Sequence, residues 1–167
     1  MKRKGFALAT LGVTALVVLG QLALGSTGAT AAPPEVKVFR VQLSGAQEEP
    51  DNAHGDADSA AAIVTFDGNK DEVCWQVLKL TLTTGEALPH AGHIHFAPPG
   101  VAGPIVIHFF GTGDGGPAPT SYPTKRTCRP VSPGLLDEIL ANPGQYYVNL
   151  HNATHPGGVV RGQLDGE

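Results

Sequence analysis

The chain has 167 residues and a formal net charge of −4, and only 16% of its residues are charged. This length is sufficient for one domain with a real hydrophobic core. Beyond residues 2–4 the chain is acidic and has no basic cluster, so this part is a poor candidate for binding nucleic acid or anionic lipid.

The first 31 residues have the features of a secretory signal peptide. Residues 2–4 are basic, residues 6–24 form an apolar run, and residues 29–31 form an A-x-A cleavage pattern. An uncleaved N-terminal anchor is the alternative, because the run is nearly long enough to span a bilayer. Cleavage would leave residues 32–167, with 8 Lys and Arg against 15 Asp and Glu and a net charge of −7. We expect a secreted or extracytoplasmic domain whose mature form is not in a membrane.

Seven short strands are predicted from alternating or continuous apolar runs between turn residues. They span residues 36–43, 60–66, 73–82, 93–96, 105–110, 146–151 and 159–164. The polar stretch 44–55 and the Gly-, Pro- and Thr-rich stretch 111–130 predict surface loops.

One helix is predicted over about residues 132–142. Ser132 is a good N-cap, Pro133 suits the first turn, and the residues from Asn142 to Gly144 stop the helix. Short strands with Gly- and Pro-rich turns and one helix predict an all-β fold, an antiparallel Greek-key sandwich or barrel.

The chain has two cysteines, Cys74 and Cys128, and both lie in the part predicted to be exported. In an oxidising compartment such a pair most simply forms one disulfide. The bridge would close a loop of over 50 residues, which the loop-entropy relation values at about 4 kcal/mol as an upper figure. A cysteine metal site is the alternative, but neither cysteine has a second one near it.

Three segments resemble the CHRD domain, first described in chordin and common in bacterial exported proteins. They are LSGAQEEP (43–50), HAGHIHFAPPGVAGPIVIHF (90–109) and YYVNLHNATHPGGVVRGQL (146–164). The resemblance covers about residues 36–164 and marks the chain as a bacterial exported single-domain member. It implies an immunoglobulin-like β-barrel and attaches no enzymatic activity. In chordin the domains sit in an extracellular antagonist of growth factors.

Histidines in the predicted strands suggest a metal site. His93 and His95 share one face of a strand, with Cα atoms about 6.6 Å apart, near enough for both imidazoles to ligate one ion. His151 would complete a trio if its strand is a neighbour, and His108 is a weaker fourth ligand. Nitrogen ligands without cysteine suit copper or zinc. The alternative is that these histidines are structural and hydrogen-bond within the sheet.

Other polar residues give less support for chemistry. Arg161 lies in a strand otherwise built for burial, so we expect it to form a structural ion pair with Glu48 or Glu49. The adjacent glutamates are more typical of a solvated turn than of catalytic carboxylates. The sequence has no G-x-S-x-G motif, and we predict no catalytic residue.

These observations favour an exported CHRD domain protein that binds copper or zinc through histidine. One alternative is an extracellular adhesion or protein-interaction domain with structural histidines, whose partner would be an extracellular protein or the cell wall. Another alternative is a copper-dependent oxidoreductase, which would need an open coordination position. Enzymatic activity is the less favoured interpretation.

Overall fold

The structure, a computed structural model, describes residues 35–50, 57–111, 113 and 115–165. The predicted signal peptide over residues 1–31 lies outside these residues, so its cleavage stays a prediction. Eight strands and one α-helix follow in chain order: β1 (Val36–Ser44), β2 (Ser59–Asp67), β3 (Glu72–Thr81), β4 (Ala91–Phe96), β5 (Ile105–Phe110), β6 (Thr127–Pro130), α1 (Pro133–Ala141), β7 (Tyr146–His151) and β8 (Val160–Gln163). Two short 3-10 turns lie at Gly45–Gln47 and Pro143–Gln145.

The eight strands form one antiparallel sheet in the order β5-β4-β7-β8-β1-β2-β3-β6. β1 meets β8 at a single residue pair, Ser44 with Arg161, so the sheet consists of two four-stranded halves with a narrow join. The prediction of an all-β antiparallel fold with one short helix is confirmed. The finer immunoglobulin-like arrangement stays an expectation, because a single continuous sheet does not by itself establish it.

The hydrophobic core lies between the two halves of the curled sheet. In β1 the alternating residues Phe39, Val41 and Leu43 are buried, as the period of two in a strand requires. Trp75 of β3 stacks on Phe109 of β5, with ring centroids 4.6 Å apart and an interplanar angle of 9°. These two strands lie near opposite ends of the sheet order, so this contact shows that the sheet curls around one core.

Strand β6 lies within the stretch that the sequence predicted to be a loop without strands. A strand of four residues is too short to show periodicity, and its partner β3 is distant in the sequence. Cys128 of β6 lies directly opposite Cys74 of β3, and the predicted disulfide between them is confirmed. The guanidinium of Arg129 donates to the carbonyl oxygen of His108 in β5, so a side chain joins the two edge strands.

The helix α1 agrees with the predicted one to within a residue at each end. Pro133 begins it after Ser132, whose extended backbone suits an N-cap position, although its side chain makes no capping hydrogen bond. Leu136 and Ile139 face the core. Within the described part of the chain, no helix is long and apolar enough to cross a membrane.

Candidate metal centre

The candidate site lies on the face of β4 and β7 that points away from the core. Alternation along β7 places Val148 and Leu150 in the core, so Asn149 and His151 belong to the opposite face. β4 pairs directly with β7 and sets His93 opposite Asn149. The condition stated for a three-histidine site, that the two strands are neighbours, is therefore fulfilled.

Three imidazoles converge on this face. One ring nitrogen from each of His93, His95 and His151 lies within 4.8 Å of the corresponding atoms of the other two. The ring centroids are 4.8 Å apart for His93 and His151, 5.6 Å for His93 and His95, and 5.5 Å for His95 and His151. All three side chains are buried, with 4–7% of their surface exposed. We call these residues the histidine trio.

Backbone carbonyls orient two members of the trio. Nδ1 of His95 lies 2.9 Å from the carbonyl oxygen of Gly103, and Nδ1 of His151 lies 3.1 Å from that of Pro156. A carbonyl only accepts hydrogen bonds, so each Nδ1 carries the proton and each Nε2 keeps a free lone pair. Ligating histidines are typically held in this way, with the second nitrogen bonded to a carbonyl or carboxylate.

The trio is neutral near pH 7. Burial is the main cause that lowers the pKa of His93 to about 3, and the neighbouring imidazoles add mutual repulsion. Burial likewise lowers the pKa of His151 to about 4, and it lowers the pKa of His95 against the opposing hydrogen bond to Gly103. Neutral imidazole is the form that ligates a metal, so the environment favours the competent state.

The other predicted or neighbouring histidines lie outside the trio. His108 of β5 pairs with His93, and their ring centroids are 4.8 Å apart, but its nitrogens are not among the converging ligand atoms. The side chain of His155 instead contacts Glu86, with Nε2 3.2 Å from the carboxylate oxygen.

Arg161 is almost fully buried on the same face, at 2% exposure. Its guanidinium donates to the carbonyl oxygens of Val101 at 2.8 Å and Pro98 at 3.0 Å. Within the described part of the chain it makes no ion pair with Glu48 or Glu49, although we expected one. The segment after β4 folds over the strand and supplies carbonyl oxygens in place of a carboxylate.

Glu48 and Glu49 differ sharply in environment. Glu49 is exposed, whereas Glu48 is buried and its Oε2 accepts a hydrogen bond from Nδ2 of Asn149 at 3.2 Å. Burial raises the pKa of Glu48 to about 8, against the opposing effects of Asn149 and of the charge on Arg161. The sequence analysis missed this burial, because the polar residues around Glu48 suggested a solvated turn.

Unpartnered buried polar atoms concentrate on this face. Among the described residues, eight buried side-chain nitrogens and oxygens have no hydrogen-bond partner, and seven of them belong to this face. They come from six side chains: Glu48, His93, His95, His108, Asn149 and His151. Buried polar atoms are normally satisfied, so such a concentration is typical of a site that takes a further group.

The comparison with known protein families agrees with the resemblance seen in the sequence. The CHRD domain model matches residues 39–164, which include all three histidines of the trio as well as Glu48 and Arg161. No curated protein and no solved structure matches the chain. Since the match extends over most of the chain, the protein belongs to the CHRD domain family.

Proposed function

We propose that this CHRD domain binds one transition-metal ion, copper or zinc, through His93, His95 and His151. The convergence of three ring nitrogens within 4.8 Å carries the proposal. An all-nitrogen ligand set without thiolate suits Cu(II) or Zn(II), and four-coordinate sites with three histidines are well suited to zinc. The role is to hold or carry the ion, and no step of catalysis is part of the proposal.

The unpartnered nitrogens support this proposal over a purely structural network. A structural network would satisfy its members, yet Nε2 of His95 and of His151 and both nitrogens of His93 have no hydrogen-bond partner. Leaving a buried polar atom unsatisfied costs about 1–3 kcal/mol. A bound ion would satisfy one nitrogen from each ring.

Calorimetric titration of the purified protein with Zn(II) and with Cu(II) at pH 7 tests the proposal. We expect one ion per chain, and a higher melting temperature in the presence of the ion because only the folded state has the site. His93→Ala and His151→Ala should abolish stoichiometric binding. His155→Gln removes an imidazole outside the trio and should bind as the wild type does. Absence of stoichiometric binding by the wild type would refute the proposal.

A second candidate function is protein interaction, and one surface feature favours it. Phe96, Val101 and Ile105 are exposed at 41%, 48% and 40%. Phe96 ends β4, Ile105 begins β5 and Val101 lies between the two strands, where the amide of Phe96 donates to the carbonyl of Pro104. Pull-down with extracellular or cell-wall material, beside an Ile105→Ser variant, tests this function. Retention that the variant does not reduce would exclude this surface.

We further propose that the chain is exported and cleaved after residue 31. The basic start, apolar run and A-x-A pattern of residues 1–31 support export, and the Cys74–Cys128 disulfide is typical of an oxidising compartment. The intact mass of protein secreted by an expression host tests this proposal. A mass that includes residues 1–31 would contradict cleavage.

A further inference from the structure

Charge is not balanced on the face that carries the histidine trio. Three neutral imidazoles contribute no negative charge. The buried guanidinium of Arg161 donates to the carbonyl oxygens of Val101 and Pro98 and to Oε1 of Gln163, and none of these acceptors is charged. A divalent ion would therefore add two positive charges to a buried region that already contains one. Burying charge is costly unless a counter-charge accompanies it.

Glu48 is the buried carboxylate on this face. Its Oε2 is bonded to Asn149, which lies directly opposite His93 on the neighbouring strand, and its Oε1 has no partner. Asn149 also lies opposite Arg161, so the glutamate bonds to the residue whose neighbours across the sheet are His93 and Arg161. Glu86, the carboxylate next to His155, is already bonded to that imidazole and to Asn152.

The backbone is shaped to admit the Glu48 carboxylate. Gly158 has φ +143, and a Cβ at this position would collide with Oε2 of Glu48 and with Nδ2 of Asn149. A side chain here would displace the carboxylate of Glu48 or the amide of Asn149, and glycine adopts this φ at no steric cost. The arrangement of Glu48, Asn149 and Gly158 is therefore a built feature of the fold and not a chance contact on its surface.

We propose that Glu48 provides the counter-charge for the ion held by the histidine trio and thereby favours divalent over monovalent metals. This inference rests on the proposed function. Glu48 acts through its charge and through Asn149, as a positioning residue rather than as a ligand. Because the pKa of Glu48 is about 8 without a metal, the carboxyl is largely neutral at pH 7, and an incoming cation favours its ionisation.

Glu48→Gln tests the inference with little change in shape, since glutamine resembles the protonated carboxyl of the metal-free protein. The dissociation constants of Zn(II) and of Ag(I) are measured at pH 7. Ag(I) is the monovalent probe because it needs no reductant, so the Cys74–Cys128 disulfide stays closed. Loss of an outer residue of a metal site typically weakens binding about 10–100-fold, and we expect at least about tenfold for Zn(II). The Coulomb energy is proportional to the charge of the ion. A tenfold loss of affinity for Zn(II) therefore corresponds to about a threefold loss for Ag(I).

Glu49→Gln is the matched control, because it removes the same charge from the exposed neighbour and should leave both constants unchanged. Gly158→Ala keeps the charge in the chain but displaces it, and should weaken Zn(II) binding more than Ag(I) binding. Melting curves without metal identify any variant that has lost its fold.

The outcomes separate the two proposals. If the wild type binds no Zn(II), the proposed function and this inference both fail. If the wild type binds Zn(II) and Glu48→Gln binds it equally well, only the inference fails. Equal losses for Zn(II) and Ag(I) would also overturn it, because they would indicate a structural effect without a contribution from charge.

Discussion

The guanidinium carbon of Arg161 lies 3.5 Å from the centre of the Tyr147 ring. The same ring stacks on His95, with centroids 4.8 Å apart and an interplanar angle of 11°. The hydroxyl oxygen of Tyr147 accepts a hydrogen bond from the amide of Gly103, whose carbonyl orients His95. Arg161 therefore stabilises a ring that fixes the position of one member of the histidine trio.

Replacing Arg161 with lysine should destabilise the protein although the charge is kept. Lysine cannot reproduce the planar group that bonds two carbonyls and covers the Tyr147 ring. Hydrogen bonds from charged groups contribute about 1.5–3 kcal/mol each, and we expect a loss of about that size in the free energy of unfolding. Urea denaturation measures it. Arg40→Lys, at an exposed position of β1, should change stability by less than about 0.5 kcal/mol, and an equal loss in both variants would contradict the explanation.

The contact between Trp75 and Phe109 should dominate the stability of the core. Phe109→Ala removes a buried ring from the stack between β3 and β5, and such truncations cost about 3–5 kcal/mol. Denaturation followed by circular dichroism gives the loss. The fluorescence of Trp75, the single tryptophan of the chain, reports the changed environment. Phe96→Ala, at a half-exposed ring, should cost far less.

Removal of the disulfide should weaken the fold chiefly through the unfolded state. The bridge joins residues 54 positions apart. Removing a link that closes a loop of this length lowers the free energy of unfolding by about 2–4 kcal/mol. Denaturant titration of Cys74→Ala/Cys128→Ala measures this loss. A reductant should destabilise the wild type similarly and leave the double variant unchanged. Equal stability of both proteins would show that the bridge contributes nothing.

Glu48 should make the metal-free protein less stable as pH rises from 6.5 to 8. Its folded pKa is raised from 4.5 to about 8, so in this window the folded state keeps a proton that the unfolded chain has released. The free energy of unfolding therefore falls with pH, by at most about 1.4 kcal/mol per pH unit. His93 and His151 have the opposite effect, at a lower pH. Their pKa values are lowered from 6.5, so below pH 6.5 the unfolded chain binds protons that the folded state does not, and these two residues lower the stability as pH falls.

Glu48→Gln should remove the decline between pH 6.5 and 8, whereas Glu49→Gln should retain it. Denaturant midpoints measured with a chelator at several pH values provide the comparison. A decline that persists in Glu48→Gln would mean that another group titrates in this window.

The histidine trio could be predicted from the sequence because it depends on spacings within single strands. His93 and His95 lie two positions apart in an apolar run, and the same period places His151 on one face of its own strand. That β4 and β7 are neighbours depends on the overall topology, which no local pattern encodes. The partners of Arg161 and the burial of Glu48 were not predictable for the same reason, since loops distant in sequence cover both side chains.

The contact between Arg129 and the carbonyl of His108 has a consequence for how copies of this domain coexist. A sheet has two edges, and an edge with free backbone groups is a template onto which a strand of another molecule can add. Here a side chain of β6 occupies a backbone acceptor of β5, and β6 is only four residues long. Its last residue, Pro130, has no amide hydrogen to donate. The contact that joins the two ends of the sheet thus also reduces the number of free backbone groups to which a strand of another molecule could add.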